Sequence, residues 1–197
     1  MMIKPKKIAH AAESENERAI FYNISSVPPH NKLRYEVFGN YCKNKKVADF
    51  SCGCGYGSYI LSGVSKAVHG FDYSEKAIDF CKTYWSNDNV KYDVMDINNI
   101  ATDETFDVIV HSETIEHIKA TINQTLKNLS ELLRPNGIFC ITHPENEPKE
   151  KAAGGHVHFN IKRCEMEVLL RNIGFKIIQS KEYAKGASMI VAQKGGV

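Results

Sequence analysis

From residue 47 onward, apolar and polar positions fall into short blocks whose period keeps changing. Val47-Ala48-Asp49-Phe50 is a nearly continuous apolar run, the pattern of a strand buried on both faces, and a helix is predicted soon after it, near residues 58–63. The succession then repeats. A strand over 67–71 precedes a helix over 74–85, and a strand over 90–94 precedes a connection. A strand over 106–111 precedes a helix after Thr121, and a strand over 137–142 precedes a long loop and a helix over 161–172. Strands alternating with helices at this length predict a parallel sheet with helices on both faces. The last two strand-like runs, 175–181 and 188–192, have only residues 182–187 between them. That is too short for a crossover, so they predict an antiparallel hairpin. The expected fold class is therefore α/β, a Rossmann-like doubly wound, mostly parallel sheet with a C-terminal antiparallel hairpin.

Ahead of this core, residues 1–12 read as a loose end. Residues 13–24 have a partly apolar side, with Ala19, Ile20 and Phe21, that suits a helix. Val27-Pro28-Pro29-His30 breaks it, and Asn31 is placed to cap a second helix through Leu33, Tyr35, Val37 and Phe38 to about Tyr41. The chain thus divides into an N-terminal helical segment, 1–44, and a core, 45–197. Both helices precede the first strand, which leaves them a sheet face or the strand tips to lie across.

Bulk properties narrow the choices. The 197 residues suffice for one domain with a sizeable core, and 43% hydrophobic with 24% charged residues is ordinary for a soluble globular chain. A net charge of +2, from 25 basic and 23 acidic residues, gives no pull toward nucleic acid or membrane. The short basic run Lys4-Pro5-Lys6-Lys7 reads as a solvated end. The six cysteines are scattered without a C-x-x-C pair, and neither a secretory signal nor a membrane span is read, so a reducing cytoplasm is expected. Cys81 and Cys140 read as buried apolar residues, and Cys52 and Cys54 as tight packing within a turn.

That turn, Ser51-Cys52-Gly53-Cys54-Gly55-Tyr56-Gly57-Ser58, follows the first strand directly. Glycines there admit positive φ and let a ligand approach backbone, and ligands in such sheets sit beyond the carboxyl ends of the strands. The spacing is not the G-x-G-x-x-G of dinucleotide folds, which speaks against a nicotinamide oxidoreductase. With Asp49, Gly53 and Gly55 in register, the stretch instead resembles motif I of class I S-adenosylmethionine-dependent methyltransferases, (D/E)-x-G-x-G-x-G. Ser51 stands at the first glycine and follows the same path only if its φ stays negative. Asp72 after the second strand, Asp96 after the third and the terminal hairpin come in the family's order, so the resemblance covers about residues 45–193.

The resemblance implies S-adenosylmethionine as cofactor. It assigns Asp72 to the ribose hydroxyls and Asp96 to the adenine amino group, with the Ile97 amide meeting the ring and Met95 or Ile97 sandwiching it. Asp49 would orient the turn or the cofactor ammonium, Ser51, Gly53 and Gly55 would cradle it, and Tyr73 and His111 would flank it. Each acid has a plainer reading: Asp72 as a first-turn acid beside the helix cap Ser74, Asp96 as a loop-turn residue. The N-terminal segment would act as a lid, with Tyr22, Arg34 and Tyr35 as its candidates.

After the fourth strand comes Glu113-Thr114-Ile115-Glu116-His117, an E-x-x-E-H. On a helical turn positions i, i+3 and i+4 share a face, so Glu113, Glu116 and His117 form an oxygen and nitrogen ligand set for a divalent metal. The motif is similar to that of ubiquinone-pathway catechol O-methyltransferases and of small-RNA 3′-terminal 2′-O-methyltransferases, which add a histidine downstream. This chain offers His143, His156 and His158. The alternative leaves out the metal and makes His117 a general base or a wall of the pocket. His156-Val157-His158, after Ala152-Ala153-Gly154-Gly155, would present both imidazoles on one side of an extended segment. His117, His156 and His158 are the catalytic candidates.

Deprotonating the acceptor by histidine or by metal favours oxygen as the methylated atom. The expectation is an O-methyltransferase acting on a sugar or other small metabolite. The alternatives are a metal-dependent RNA 2′-O-methyltransferase, which the near-neutral charge disfavours, and a catalytically silent S-adenosylmethionine-binding regulator. Neither the acceptor nor the oligomeric state is legible.

Overall fold

The computed structural model describes residues 20–152 and 155–196. Seven strands form one sheet in the order β3-β2-β1-β4-β5-β7-β6. They are β1 (Lys46–Phe50), β2 (Ala67–Asp72), β3 (Val90–Val94), β4 (Phe106–Ser112), β5 (Leu133–Pro144), β6 (Phe175–Ala184) and β7 (Ala187–Lys194). The first five pair in parallel, while β7 runs antiparallel between β5 and β6. The expected doubly wound sheet with its terminal hairpin is what the chain forms. Strand order reverses between β1 and β4, which opens a crevice above their carboxyl ends.

Five helices flank the sheet among the described residues: α1 (Pro29–Cys42), α2 (Tyr56–Ser62), α3 (Glu75–Tyr84), α4 (Ile122–Glu131) and α5 (Arg163–Asn172). Alternation along each strand sends side chains to two separate cores. Val47, Val68, Val108 and Val110 pack with Phe38, Leu61, Ile78 and Trp85 under α1 to α3. Ala48, Phe50, Ile109 and Ile141 pack with Leu126, Leu129, Met166 and Leu170 under α4 and α5. Each such buried Leu, Ile or Phe contributes about 1.5–3 kcal/mol of transfer free energy.

Local chemistry sets the helix boundaries. Ser74 accepts from the Ala77 amide and Thr121 from the Gln124 amide, capping α3 and α4. Asn31 is not a cap: α1 starts two residues earlier with Pro29 at its first position, where a missing N–H costs nothing. Most of the helix expected over 13–24 lies outside the described residues, as does the Lys4-Pro5-Lys6-Lys7 run. Its described end is not α-helical, since Asn23 instead caps a single 3-10 turn, Ile24–Ser26. This entry stretch packs on α3, with Tyr22 edge-on to Phe80 and Tyr84 and the Trp85 indole donating to the Phe21 carbonyl. Cys42, Cys52, Cys54, Cys81 and Cys140 are buried, consistent with packing roles.

Candidate active site

The glycine turn is shaped by three left-handed residues. Ser51, Gly53 and Gly55 have φ of 62°, 56° and 86°. Ser51 therefore takes the glycine path with positive φ, contrary to the expectation of a negative one, and the tight reversal out of β1 is strong enough to impose it. A Cβ on Gly55 would lie 2.7 Å from Cys81 Sγ, so side-chain contact demands a glycine there. A Cβ on Gly53 would meet nothing within 4 Å, which leaves the inner face of the turn open to a ligand. Gly57 lies under Tyr35, whose ring fills the space a Cβ would take.

Asp49 is fully buried behind this turn. Ser58 Oγ donates to its Oδ2 at 2.7 Å, while Oδ1 has no hydrogen-bond partner. Burial pushes its carboxyl up to about 7, against the Ser58 hydrogen bond and the nearby Arg34 charge. Asp72 holds the turn itself: Oδ2 accepts from the Gly53 amide at 2.9 Å and Oδ1 from the Ser74 amide at 3.1 Å. His111 is buried between β1 and β4, with Nδ1 3.4 Å from the Phe50 carbonyl and Nε2 unpartnered, and burial lowers it to about 4. Asp96 is exposed and accepts from the Asn98 amide and side chain, the plainer loop-turn role, whereas Ile97 is buried. Tyr73 is exposed. An open Gly53 face, following a buried carboxylate with an orphaned oxygen at the end of β1, fits a cofactor that carries an ammonium group.

Above the turn, a polar chain ties four parts of the sequence together. Arg34 of α1 donates to the Tyr56 hydroxyl at 2.6 Å and to the Tyr183 hydroxyl at 3.4 Å. Tyr183, on β6, donates to Glu113 Oε1 at 3.1 Å. Arg34 is thereby tied to α2 and β6, while Tyr35 is buried with its ring against Gly57. Tyr183 carried no sequence signal, because only the reversed hairpin brings residue 183 next to residue 113.

The E-x-x-E-H stretch is not a regular helical turn. Glu113 has φ 49°, and only Ile115–His117 form a 3-10 turn. As a result Glu113 turns toward Tyr183 and does not join the other two residues. In its place stands His156: ligand atoms of Glu116, His117 and His156 all lie within 4.8 Å of one another. The two imidazoles meet edge to face at 4.5 Å. Glu116 is 2% exposed, and its Oε2 has no hydrogen-bond partner. Burial raises its carboxyl well above the usual range, and the charges of Glu113 and Glu147 add to the effect. A buried carboxylate and two imidazoles whose ligand atoms share one small space are a donor set that fits a divalent cation.

His156 and His158 do not share surroundings. His156 Nδ1 lies 2.8 Å from Glu147 Oε2. His158 Nε2 lies 2.9 Å from the Ile118 carbonyl and 3.0 Å from that of Ala120, while the Val157 and His158 amides donate to the Glu116 carbonyl. His158 therefore latches its loop to the 115–117 turn and sets His156 in place. His143 is buried, with Nδ1 2.9 Å from the Pro144 carbonyl. Glu147 was not legible as a site residue in the sequence.

This sheet order, with an open glycine turn and acids at the tips of its strands, is the fold of S-adenosylmethionine-dependent methyltransferases. A methyltransferase-domain family model matches residues 42–185, and the chain belongs to that family. It is 24% identical over 176 residues to a probable S-adenosylmethionine-dependent methyltransferase of Mycolicibacterium smegmatis, covering 84% of this chain and 66% of that one. It is 34% identical over 101 residues to the ubiquinone biosynthesis O-methyltransferase of Pelagibacter ubique, covering 50% of this chain and 42% of the relative. The chain thus spans about two thirds or less of the length of these curated relatives. An S-adenosylmethionine-dependent methyltransferase from Mesorhizobium loti superposes with a TM-score of 0.72 at 14% identity, covering 87% of this chain and 100% of that one. No described helix is long and apolar enough to cross a membrane.

Proposed function

We propose that this chain is an S-adenosylmethionine-dependent O-methyltransferase whose acceptor is a hydroxyl of a sugar or other small metabolite. The observation that carries the reading is the convergence of Glu116, His117 and His156 beyond β4, on the same edge of the sheet as the open glycine turn. The cofactor would lie along Ser51, Gly53 and Gly55, with its ammonium at Asp49, its ribose at Asp72, its adenine beside Asp96 and Ile97, and Tyr73 and His111 flanking it.

Methyl transfer from a sulfonium is an in-line displacement: a new O–C bond forms as the S–C bond breaks, and the acceptor proton has to leave. Holding the acceptor oxygen about 3 Å from the methyl carbon supplies much of the rate. His117, half-buried, and His156 face the same space and are the groups able to take that proton. Glu116, His117 and His156 are also the residues that would hold a divalent cation, whose chemistry would be to lower the acceptor hydroxyl pKa. Arg34 and Tyr35 would close over the cofactor and exclude water.

Support for oxygen as the methylated atom comes from the ubiquinone biosynthesis relative, an O-methyltransferase by name. The near-neutral charge, +2, favours a small acceptor over RNA. The test is calorimetric titration of S-adenosylhomocysteine, then Mg²⁺, Mn²⁺ and Zn²⁺ into the saturated complex, followed by turnover on a panel of phenols and sugars with His117→Ala and His156→Ala alongside. No heat with S-adenosylhomocysteine would sink the cofactor reading. Cofactor binding with turnover untouched by both histidine variants would sink the assignment of the base.

A further inference from the structure

We infer that Glu147 is a positioning residue that fixes the ring of His156 for its work at the Glu116–His117 cluster. The inference rests on the proposed function of that cluster and assigns a carboxylate lying outside the E-x-x-E-H motif.

Glu147 Oε2 and His156 Nδ1 are 2.8 Å apart, off the straight line of a hydrogen bond. Each is a buried polar atom with no hydrogen-bond partner elsewhere, and such atoms are costly to leave alone, so the ion contact between them is the one available to both. Glu147 is not among the residues whose ligand atoms lie within 4.8 Å of one another; besides the effect of its charge on Glu116, its contact with the cluster is made through His156. A carboxylate facing Nδ1 keeps the proton there and leaves Nε2 with its lone pair. That tautomer is needed both to take a proton and to bind a cation.

The loop that carries both residues is built to hold them. The Asn146 amide donates to the Ile161 carbonyl and the Asn160 amide to the Glu147 carbonyl, closing the neck of the loop. Asn146 and Asn160 both take left-handed φ, 55° and 54°, as the chain enters and leaves that neck. Pro148 restricts Glu147 to extended backbone. On the other arm, the Val157 and His158 amides and the His158 ring pin the chain to the 115–118 turn and Ala120. Glu147 at the base of the loop and His156 further along it therefore meet at a fixed separation.

The test compares Glu147→Ala, Glu147→Asp and, as a control for net charge, the exposed loop acid Glu150→Ala. Each is saturated with S-adenosylhomocysteine, which also reports that the fold is intact. Mn²⁺ affinity should fall about 10–100-fold in Glu147→Ala, the usual cost of removing such a carboxylate, and recover most of the way in Glu147→Asp. Glu150→Ala should lose little. An equal loss in Glu150→Ala, or no loss in Glu147→Ala, overturns the inference. The second reading is the ¹⁵N NMR tautomer of His156 without metal, at a pH where the ring is neutral: Nδ1–H in the wild type and in Glu147→Asp, shifted toward Nε2–H in Glu147→Ala. Unchanged tautomer populations overturn the inference as well. If the wild type takes up no metal, the metal reading of the cluster fails alone, and the tautomer decides the role of Glu147. Should Glu147→Ala fail to bind S-adenosylhomocysteine, Glu147→Met, which fills the same space without an acceptor, takes its place in both measurements.

Discussion

Asp49 exposes the electrostatic reasoning to a direct check. It is buried at the end of β1 with one oxygen held by Ser58 and the other unpartnered, and burial pushes its carboxyl from 3.8 up to about 7. Between those two values the folded chain retains a proton that the unfolded chain has released, so stability falls as pH rises through the window. A shift of one unit corresponds to about 1.4 kcal/mol, which over this window makes about 4 kcal/mol as an upper bound. Asparagine cannot ionise. Asp49→Asn should therefore track the wild type near pH 4 and exceed it by about 3–4 kcal/mol at about pH 8 in the absence of cofactor. Urea unfolding of both proteins across that pH range reads the difference. A gap that stays constant with pH, or widens toward acid, would refute the claim that this carboxylate is ionised at a cost. On the proposed reading, in which Asp49 faces the cofactor ammonium, the same variant should bind S-adenosylmethionine more weakly.

Three further outcomes follow from the geometry. Ser51→Gly removes a left-handed serine that costs about 1–2 kcal/mol; after the added freedom of the unfolded chain, a gain of about 0.5–1 kcal/mol is expected in urea unfolding, and a loss would contradict the strain argument. Gly57→Ala drives a methyl into the Tyr35 ring and should cost about 1–3 kcal/mol, a cost that disappears in a Tyr35→Ala background; additive losses in that double-mutant cycle would show the two residues are not in contact. His158→Ala frees the Ile118 and Ala120 carbonyls, should cost about 1–2 kcal/mol, and should speed hydrogen exchange at the Val157 amide; unchanged protection there would count against the latch.

Much of this protein follows from local pattern. The period-2 and period-3.6 blocks placed the strands and helices from residue 46 on, because burial on a sheet or a helix face forces those periods. The short 182–187 spacer required a hairpin, and the structure has it as β6 and β7. Ser74 was readable as a cap for the same reason: capping is chemistry between residues three apart, as it also is at Thr121 in the structure. The glycine turn was readable from strand, small residues and helix in succession. The sign of φ at Ser51 was not, since propensity argued one way and the closure of the turn the other.

The cluster beyond β4 shows where sequence stops. Its wording is local, and a regular helical turn was the simplest reading of Glu113, Glu116 and His117. Whether Glu113 joins them depends on Thr142, whose carbonyl and hydroxyl receive the Glu113 amide, and on Tyr183, seventy residues away. His156 reaches the cluster because its loop is tied at the neck through Asn146 and Asn160 and along its arm through His158. Those ties are long-range hydrogen bonds, and a one-dimensional pattern does not encode which distant carbonyl an amide will find. The sequence by itself determined the sheet, the order of its motifs and the kind of cofactor that order suits, because each rests on periodicity or on neighbours along the chain. The tertiary structure alone decided which carboxylate and which imidazole meet Glu116 and His117, because that is settled by packing between segments far apart in sequence.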